Sequence, residues 1–199
     1  MKRSLLVAAI IYTLTGCQTS NPPEAIAPTP QASPAIANNS PISTQQLATV
    51  SSSQTCNISA YVIDKDPQGL NVRMNASSRS KILTKLPTNT DAAFVDIVAS
   101  QGAWVQIDKA ESARRDFEFH GKGWLYSQLL GTSTRGYGTK GVNVYQEASE
   151  KSKVVGRIPD QKEVKLLSCR GSYAKIQYEN ITGWLAREAQ CPNPLTTCP

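Results

Sequence analysis

Short runs of alternating apolar and polar residues fill the chain from about residue 56 onwards. Residues 56–63 place Ile58, Ala60 and Val62 at every second position, which is typical of a half-buried β-strand. Similar β-prone runs follow at 70–73, 82–86, 94–99, 104–107, 142–145, 154–158, 164–167, 173–178 and 181–185. None of these runs keeps a 3.6-residue period, so the pattern predicts an all-β fold.

One sequence pattern occurs twice in this region. Gly-Leu-Asn-Val-Arg at 69–73 returns as Gly-Val-Asn-Val-Tyr at 141–145, and Pro87 returns as Pro159, both at an offset of 72. Both copies close on Gly-Trp-Leu, at 123–125 and 183–185, where the offset is 60. The first copy therefore carries extra residues, which fall within 108–121. That segment is either a solvated hairpin extension or a binding loop.

The first residues predict an exported protein. Lys2 and Arg3 precede an apolar run at 5–11, which is shorter than the ~20 residues a membrane-spanning helix needs. Leu-Thr-Gly-Cys at 14–17 then resembles the bacterial lipobox. The resemblance implies a signal peptide over 1–16 and a lipid on Cys17. The alternative is an ordinary signal peptide cut near 25–27. Gln18 rather than Asp after the cysteine implies an outer-membrane anchor that faces the periplasm.

A segment rich in proline and small polar residues separates this leader from the first strand. Six of the chain's twelve prolines lie within 17–55, and Glu24 is its only charged residue. Because such a segment buries too little apolar surface to offset its ordering entropy, it is predicted to be a disordered tether.

The charge of the chain argues against a nucleic-acid partner. The formal net charge is +6, and removal of Lys2 and Arg3 leaves 19 − 15 = +4. These basic residues are scattered, whereas nucleic-acid binding calls for a clustered basic face.

The repeated pattern resembles the bacterial Src-homology 3 (SH3b) domain. The resemblance rests on Gly-Leu-Asn-Val-Arg, an aliphatic strand ending in Leu-Pro or Ile-Pro, an aromatic-led strand and Gly-Trp-Leu. It implies two tandem small SH3-like β-barrels, over 56–130 and 131–199. The second copy departs from the pattern at Tyr145 and Tyr173. The whole plan of lipobox, tether and tandem repeat is similar to cyanobacterial envelope lipoproteins.

Four cysteines remain once Cys17 is assigned to lipid. An even number in an exported protein predicts disulfides, and Cys56, Cys169, Cys191 and Cys198 allow three pairings. We favour Cys169–Cys191, since both lie in the second repeat, which leaves Cys56–Cys198. A zinc site is the rival interpretation, but no Cys-x₂-Cys pair is present. We therefore expect neither a metal nor another cofactor.

Catalysis is not expected. A Cys–His or Ser–His hydrolase needs a histidine beside its nucleophile, and the only histidine of the sequence is His120, in the extra segment of the first copy. Asp64, Asp66 and Glu118 lie in polar loops and are interpreted as solvated.

Binding is the remaining class of function. The candidate groove residues are aromatic: Tyr61, Trp104, Tyr126, Tyr145 and Tyr173. Trp124 and Trp184, in the repeated closing strand, are expected to pack structurally. The SH3b resemblance implies cell-wall ligands, so we expect a lipid-anchored protein that binds peptidoglycan or its peptides. The alternative is a periplasmic scaffold that presents or regulates a partner envelope enzyme.

Overall fold

A computed structural model describes residues 52–88, 92–196 and 198. The predicted signal peptide, Cys17 and nearly all of the tether lie outside the described residues. Every described strand belongs to the compact unit Leu47–Pro199. The strands are β1 (Gln54–Val62), β2 (Leu70–Arg73), β3 (Ile82–Leu86), β4 (Ala93–Gln101), β5 (Trp104–Ser112), β6 (Glu118–Tyr126), β7 (Leu130–Thr134), β8 (Val142–Tyr145), β9 (Val154–Ile158), β10 (Glu163–Arg170), β11 (Tyr173–Tyr178), β12 (Ile181–Leu185) and β13 (Gln190–Cys191). Because β1 begins at Gln54, the predicted boundary between residues 55 and 56 falls inside a strand.

The all-β prediction is confirmed. In the described part of the chain the only helical elements are two short 3₁₀ turns, Ser127–Leu129 and Arg187–Ala189. The strands form one sheet in the order β3-β2-β6-β5-β4-β1-β7-β10-β11-β12-β8-β9, and β13 pairs with β7. β1 and β7 lie side by side at its centre, antiparallel to each other.

The strand order mirrors itself about that centre. On one side the order outwards is β4-β5-β6-β2-β3, and on the other it is β10-β11-β12-β8-β9, which is the same order with each strand number raised by six. The sequence repeat is therefore also a repeat of topology. That each half closes into a separate small barrel stays a prediction.

The turn between β2 and β3 and its counterpart between β8 and β9 show how closely the copies match. In the first, the backbone N–H of Asn75 donates to Ser80 Oγ at 2.9 Å. In the second, the N–H of Glu147 donates to Ser152 Oγ at 3.1 Å. A serine hydroxyl can accept from a nearby backbone N–H in this way and so hold a turn. The local sequence therefore specifies the same turn twice.

The extra residues of the first copy form a hairpin extension. β5 and β6 each have nine residues, whereas β11 has six and β12 has five. Lys109 contacts Glu111 at 2.7 Å, and His120 Nε2 contacts Glu118 Oε1 at 2.7 Å, all on exposed strand faces. Of the two interpretations of segment 108–121, the solvated hairpin extension is the one that the fold supports.

The core consists of aliphatic side chains that alternate along the strands of both repeats. The largest fully buried residues are Val72, Leu86, Val95, Ile97, Val105, Ile107, Leu125, Leu130, Ile158, Leu166, Ile176 and Leu185. Together with their neighbours they form a single cluster that continues from one repeat into the other. Buried Ser100 and Ser127 donate across this boundary to the carbonyl oxygens of Cys169 and Leu167, both at 2.7 Å. The two repeats thus share one interior.

The favoured cysteine pairing, Cys169 with Cys191, is wrong. The disulfides are Cys56–Cys169 and Cys191–Cys198, with Cα atoms 5.8 and 5.5 Å apart. Cys56 lies on β1, and an isolated bridge between Cys56 and Gly171 brings β1 alongside the end of β10, where Cys169 lies. The first disulfide therefore joins the two repeats, and the second closes a short loop in the tail.

Candidate functional site

A surface groove of about 620 Å³ lies in the first repeat and is called here the first groove. It runs between the loop after β1, the end of β2, the turn after β2, and the adjacent ends of β5 and β6. Its lining residues are Asp64, Asp66, Gly69, Leu70, Asn71, Arg73, Ala76, Ser77, Ser78, Trp104, Tyr126 and Leu129. This volume lies in the range of small-ligand sites, ~300–1,000 Å³.

Two aromatic rings form one wall of the first groove. The register of β5 with β6 places Trp104 opposite Tyr126. Their ring centroids are 5.6 Å apart and the ring planes meet at 64°, an edge-to-face arrangement. Trp104 is half-buried and Tyr126 is 36% exposed, so neither belongs to the core. An aromatic pair held at the surface in this way is available to a ligand.

The polar groups of the first groove leave hydrogen-bonding capacity unused. The side-chain oxygen of Asn71 is buried and has no hydrogen-bond partner among the residues that the structure describes. Because buried acceptors are nearly always paired, an N–H or O–H donor from a ligand is the natural partner. The Arg73 guanidinium donates to the carbonyl oxygen of Ser80 at 2.8 Å, which within the described part of the chain uses one of its five N–H groups.

Two acidic residues, Asp64 and Asp66, line the first groove. Asp64 and Asp66 each accept one backbone N–H within their own loop, at 3.1 and 2.9 Å. Within the described residues neither carboxylate has a salt bridge to a cationic side chain. The sequence pattern predicts only that both are solvated, so their place at the groove is a finding of the structure. Their charge favours a cationic group on the ligand.

The equivalent position in the second repeat holds a smaller groove, the second groove, of about 200 Å³. Ala186 stands where the first repeat has Tyr126, and Tyr145 stands where it has Arg73, so the aromatic pair is absent. Its rim carries Glu150 and Glu188, and the nearby charge of Glu188 raises the pKa of Glu150. The two grooves therefore differ in size and in chemistry.

The five aromatic residues predicted to line a groove do not lie together. Trp104 and Tyr126 face the first groove, and Tyr145 lines the second. Tyr173, on β11, is half-buried and lines neither groove. Tyr61 is 3% exposed and lies at the centre of the sheet, where β1 pairs with both β4 and β7. The sequence signal that distinguishes the first groove is the change from Tyr126 to Ala186 between the aligned copies.

The tryptophans of the two Gly-Trp-Leu motifs, Trp124 and Trp184, pack against neighbouring residues. Trp184 is 6% exposed, in agreement with its expected structural role. The cations of Arg170 and Lys175 lie 5.4 and 5.9 Å from its ring centroid, within cation–π range. Trp124 is half-buried and pairs with Arg73 across β6 and β2.

Tyr61 links the repeats through its hydroxyl. The group donates to Glu163 Oε2 at 3.2 Å and accepts from the Ser133 hydroxyl at 2.9 Å. Burial is the main reason that the pKa of Tyr61 is raised to about 12, and the charge of Glu163 adds to the effect, while the Ser133 hydrogen bond opposes it.

This pKa predicts a loss of stability in alkali. In the unfolded chain Tyr61 ionises near its ordinary pKa of 10.0, and in the folded protein near 12. Between pH 10 and pH 12 the unfolded chain binds fewer protons than the folded protein, so the free energy of unfolding falls as the pH rises. Below about pH 10 Tyr61 is protonated in both states and does not change the free energy of unfolding. Denaturation at several alkaline pH values should show a smaller fall for Tyr61→Phe than for the wild type. Equal slopes for the two proteins would contradict the assignment.

The described residues lack the features that define a free-thiol site, a metal site or a membrane-spanning helix. Every described cysteine is in a disulfide. No group of three or more His, Cys, Asp or Glu side chains converges within the described ranges. No helix between residues 52 and 198, in the parts described, is long and apolar enough to span a membrane.

The second repeat is similar to a known family. Residues 140–189 match the family model described as "Bacterial SH3 domain", a segment that runs from just before β8 to the second 3₁₀ turn. No curated protein matches the chain.

A solved structure also matches, titled "Structure of NlpC2 from Trichomonas vaginalis". It is 13% identical, with a TM-score of 0.30, and the match covers 66% of this chain and 47% of that one. The chain therefore spans about half the length of that structure. At this score the overlap does not establish a common arrangement of strands.

Proposed function

We propose that this is a non-catalytic protein of the cell envelope whose first groove binds peptidoglycan or its peptides. The observation that carries the proposal is the Trp104–Tyr126 pair, which is held at the surface of a groove rather than in the core. Aromatic faces of this kind pack against sugar rings and other flat apolar surfaces. The match of the second repeat to the bacterial SH3 domain supports the cell-wall class of ligand.

The polar groups of the first groove suit a peptide-bearing glycan. Asn71 offers a buried acceptor to an amide or hydroxyl donor, and Arg73 retains N–H groups for a carbonyl or carboxylate. Asp64 and Asp66 supply negative charge for an ammonium group. A ligand that combines sugar rings, amides and an ammonium would use all of these groups.

The proposal includes the anchor that the lipobox implies. Lipid on Cys17 and the tether of residues 17–55 would hold two tandem SH3-like barrels at the envelope. The expected location is the outer membrane, with the barrels facing the periplasm. Incorporation of a labelled fatty acid by the wild-type protein and its loss in Cys17→Ser would support the anchor. Equal labelling of both proteins would rule it out.

No catalytic step is part of the proposal. The only histidine of the sequence, His120, contacts Glu118 on the exposed hairpin, and the described cysteines are all oxidised to disulfides. The arrangement that a Cys–His hydrolase requires, a thiolate beside a histidine, is therefore not formed by these residues.

One observation favours the scaffold as a second candidate. The strands at the two ends of the sheet, β3 and β9, each expose two adjacent aliphatic residues: Ile82 with Leu83, and Val154 with Val155. Exposed aliphatic side chains on edge strands are suited to contact with another protein.

Sedimentation with purified, protein-stripped sacculi tests the proposed function. The fragment from Leu47 is suitable because that compact unit contains every described strand and both disulfides. We expect the fragment to co-sediment at physiological salt, and Trp104→Ala or Tyr126→Ala to weaken its affinity about tenfold or more, as for aromatic residues at the centre of a binding site. Tyr137→Ala, an exposed tyrosine outside both grooves, is the matched control.

Other outcomes of this experiment would replace the proposal. A fragment that stays in the supernatant, together with cross-linking of the full-length protein to one envelope protein in cells, would support the scaffold. Release of muropeptides that stops in His120→Ala would show catalysis and overturn both binding functions.

A further inference from the structure

A second cavity adjoins the first groove at the boundary between the repeats. This junction cavity has a volume of about 350 Å³. The residues that line it include Tyr61, Val62, Asp64, Lys65, Glu163 and Pro194. Asp64 lines both the junction cavity and the first groove. The two spaces therefore share Asp64 as a lining residue.

The junction cavity is built by three separate parts of the chain. Most of its wall comes from the first repeat, Glu163 comes from the first residue of β10 in the second repeat, and Pro194 comes from the tail. Glu163 accepts a hydrogen bond from the Tyr61 hydroxyl at 3.2 Å. Within the described residues it has no salt bridge. The cavity is thus incomplete without the second repeat.

The tail disulfide holds Pro194 at this cavity. Cys191 is 1% exposed and belongs to β13, which pairs with the central strand β7. The Cys191–Cys198 bridge closes the loop that contains Pro194 back onto that fixed point. Without the bridge, the chain after Cys191 would lose its second attachment, and Pro194 would be free to leave the wall.

The chemistry of the wall indicates what the junction cavity accepts. Much of its surface is made of small or aliphatic side chains, such as Val62, Ala92 and Ala93, which suit methyl-sized groups. Its acidic residues, Asp64 and Glu163, outnumber its one basic residue, Lys65. Small aliphatic side chains next to an ammonium are a property of wall stem peptides, which combine alanine with the free ammonium of a diamino acid.

Resting on the proposed function, we propose that the first groove and the junction cavity form one composite cleft for a glycan-linked stem peptide. The sugar lies on Trp104 and Tyr126, the ammonium lies at Asp64, and the small side chains enter the junction cavity. The ligand is an extended chain, which advances up to ~3.3–3.6 Å per residue, so a few residues carry it from one space into the next.

Binding of two probes to the Leu47–Pro199 fragment tests the composite cleft. The long probe is a muropeptide, a disaccharide with its stem peptide, and the short probe is the same disaccharide without peptide. We expect Asp64→Asn to weaken the long probe about tenfold more than the short probe, since only the long probe carries the ammonium whose charge-assisted hydrogen bond is lost. Asp108→Asn makes the same change at an exposed position on β5 and should alter the affinity for neither probe.

Two further variants separate the junction from the first groove. The first variant is Pro194→Trp, in which the larger side chain fills the cavity from the exposed tail. The second is the double variant Cys191→Ser with Cys198→Ser, which frees the tail. Each should weaken binding of the long probe only. Trp104→Ala should weaken both probes. Each variant is first shown by denaturation to be folded, and Glu163→Gln replaces any variant that is not.

The outcomes distinguish this inference from the proposed function. If both probes bind with equal affinity and neither Asp64→Asn nor Pro194→Trp affects the long one, the composite cleft is refuted while the first groove stands. If neither probe binds and sacculi do not retain the fragment, the proposed function itself fails.

Discussion

Replacing Cys56 and Cys169 together by serine is expected to lower the free energy of unfolding by about 4–5 kcal/mol. The disulfide joins residues 113 positions apart, and closing a loop of that length removes much of the conformational entropy of the unfolded chain. Since small proteins are stable by only ~5–15 kcal/mol, this bond accounts for a large share of the stability.

The surroundings of the bond explain why its loss is felt in both repeats. Cys169 is fully buried, and the N–H of Asn57 donates to the carbonyl oxygen of Gly171 at 2.8 Å beside it. The N–H of Gly171 returns a bond to the carbonyl oxygen of Thr55 at 2.9 Å. These two bonds depend on β1 and the end of β10 remaining adjacent, which the disulfide enforces.

The tail disulfide is the matched control for this prediction. Cys191 and Cys198 are separated by only 7 positions, so the same entropy argument gives an effect smaller by about 2 kcal/mol. Chemical denaturation of the oxidised wild type and the two double-serine variants measures the difference. An equal effect for both pairs, or a larger effect for the tail pair, would show that loop closure is not the main source of the stabilisation.

Replacing Gly123 or Gly183 by alanine is expected to cost about 1–3 kcal/mol of stability each. A Cβ atom added at Gly123 would lie 2.2 Å from Val72 Cγ1. At Gly183 it would lie 2.6 Å from both Val144 Cγ1 and the carbonyl oxygen of Tyr145. These distances are far below van der Waals contact, so the neighbouring side chains or the strands themselves must shift, and overpacking of this kind costs ~1–3 kcal/mol.

The glycine of each Gly-Trp-Leu motif is thus required by the close approach of two strands: β6 to β2 in the first repeat and β12 to β8 in the second. Thr182→Ala, at the exposed position before Gly183, is the control and should change stability by no more than ~0.5 kcal/mol. A double-mutant cycle with Val72→Ala should show that this change relieves part of the cost of Gly123→Ala. Independent, additive effects would contradict a direct clash.

The positions of most strands could be predicted from the sequence, but β6, the central strand β7 and β13 were not among the predicted runs. β3, β9, β11 and β12 have the predicted limits, and β4, β5 and β10 contain the predicted runs. Strand formation depends on local alternation and on β-branched and aromatic residues, which can be read residue by residue. The repeat could be predicted equally well, because the offset between two motifs can be counted along the sequence without knowing which strands become neighbours.

Tyr61 shows where the alternation pattern stops being informative. It lies between the apolar residues Ala60 and Val62, so on a half-exposed strand its side chain would face solvent. β1 instead lies between β4 and β7, and Tyr61 is buried against Ser133 and Glu163 of the second repeat. Thr55 and Asn57, which the same alternation assigns to that face of β1, are exposed. Ser133 and Glu163 of the second repeat contact Tyr61, so this residue is buried although period-two alternation assigns it to the surface.

The sequence by itself determined the all-β class, most of the strand positions, the repeat and the even set of four cysteines, because each depends on local order along the chain. Only the tertiary structure decided that Cys56 pairs with Cys169, and that Asp64, Asp66 and Asn71 meet Trp104 and Tyr126 in one groove. These are contacts between segments far apart in the chain. They follow from the mirrored order of the strands about β1 and β7, which no local pattern of residues specifies.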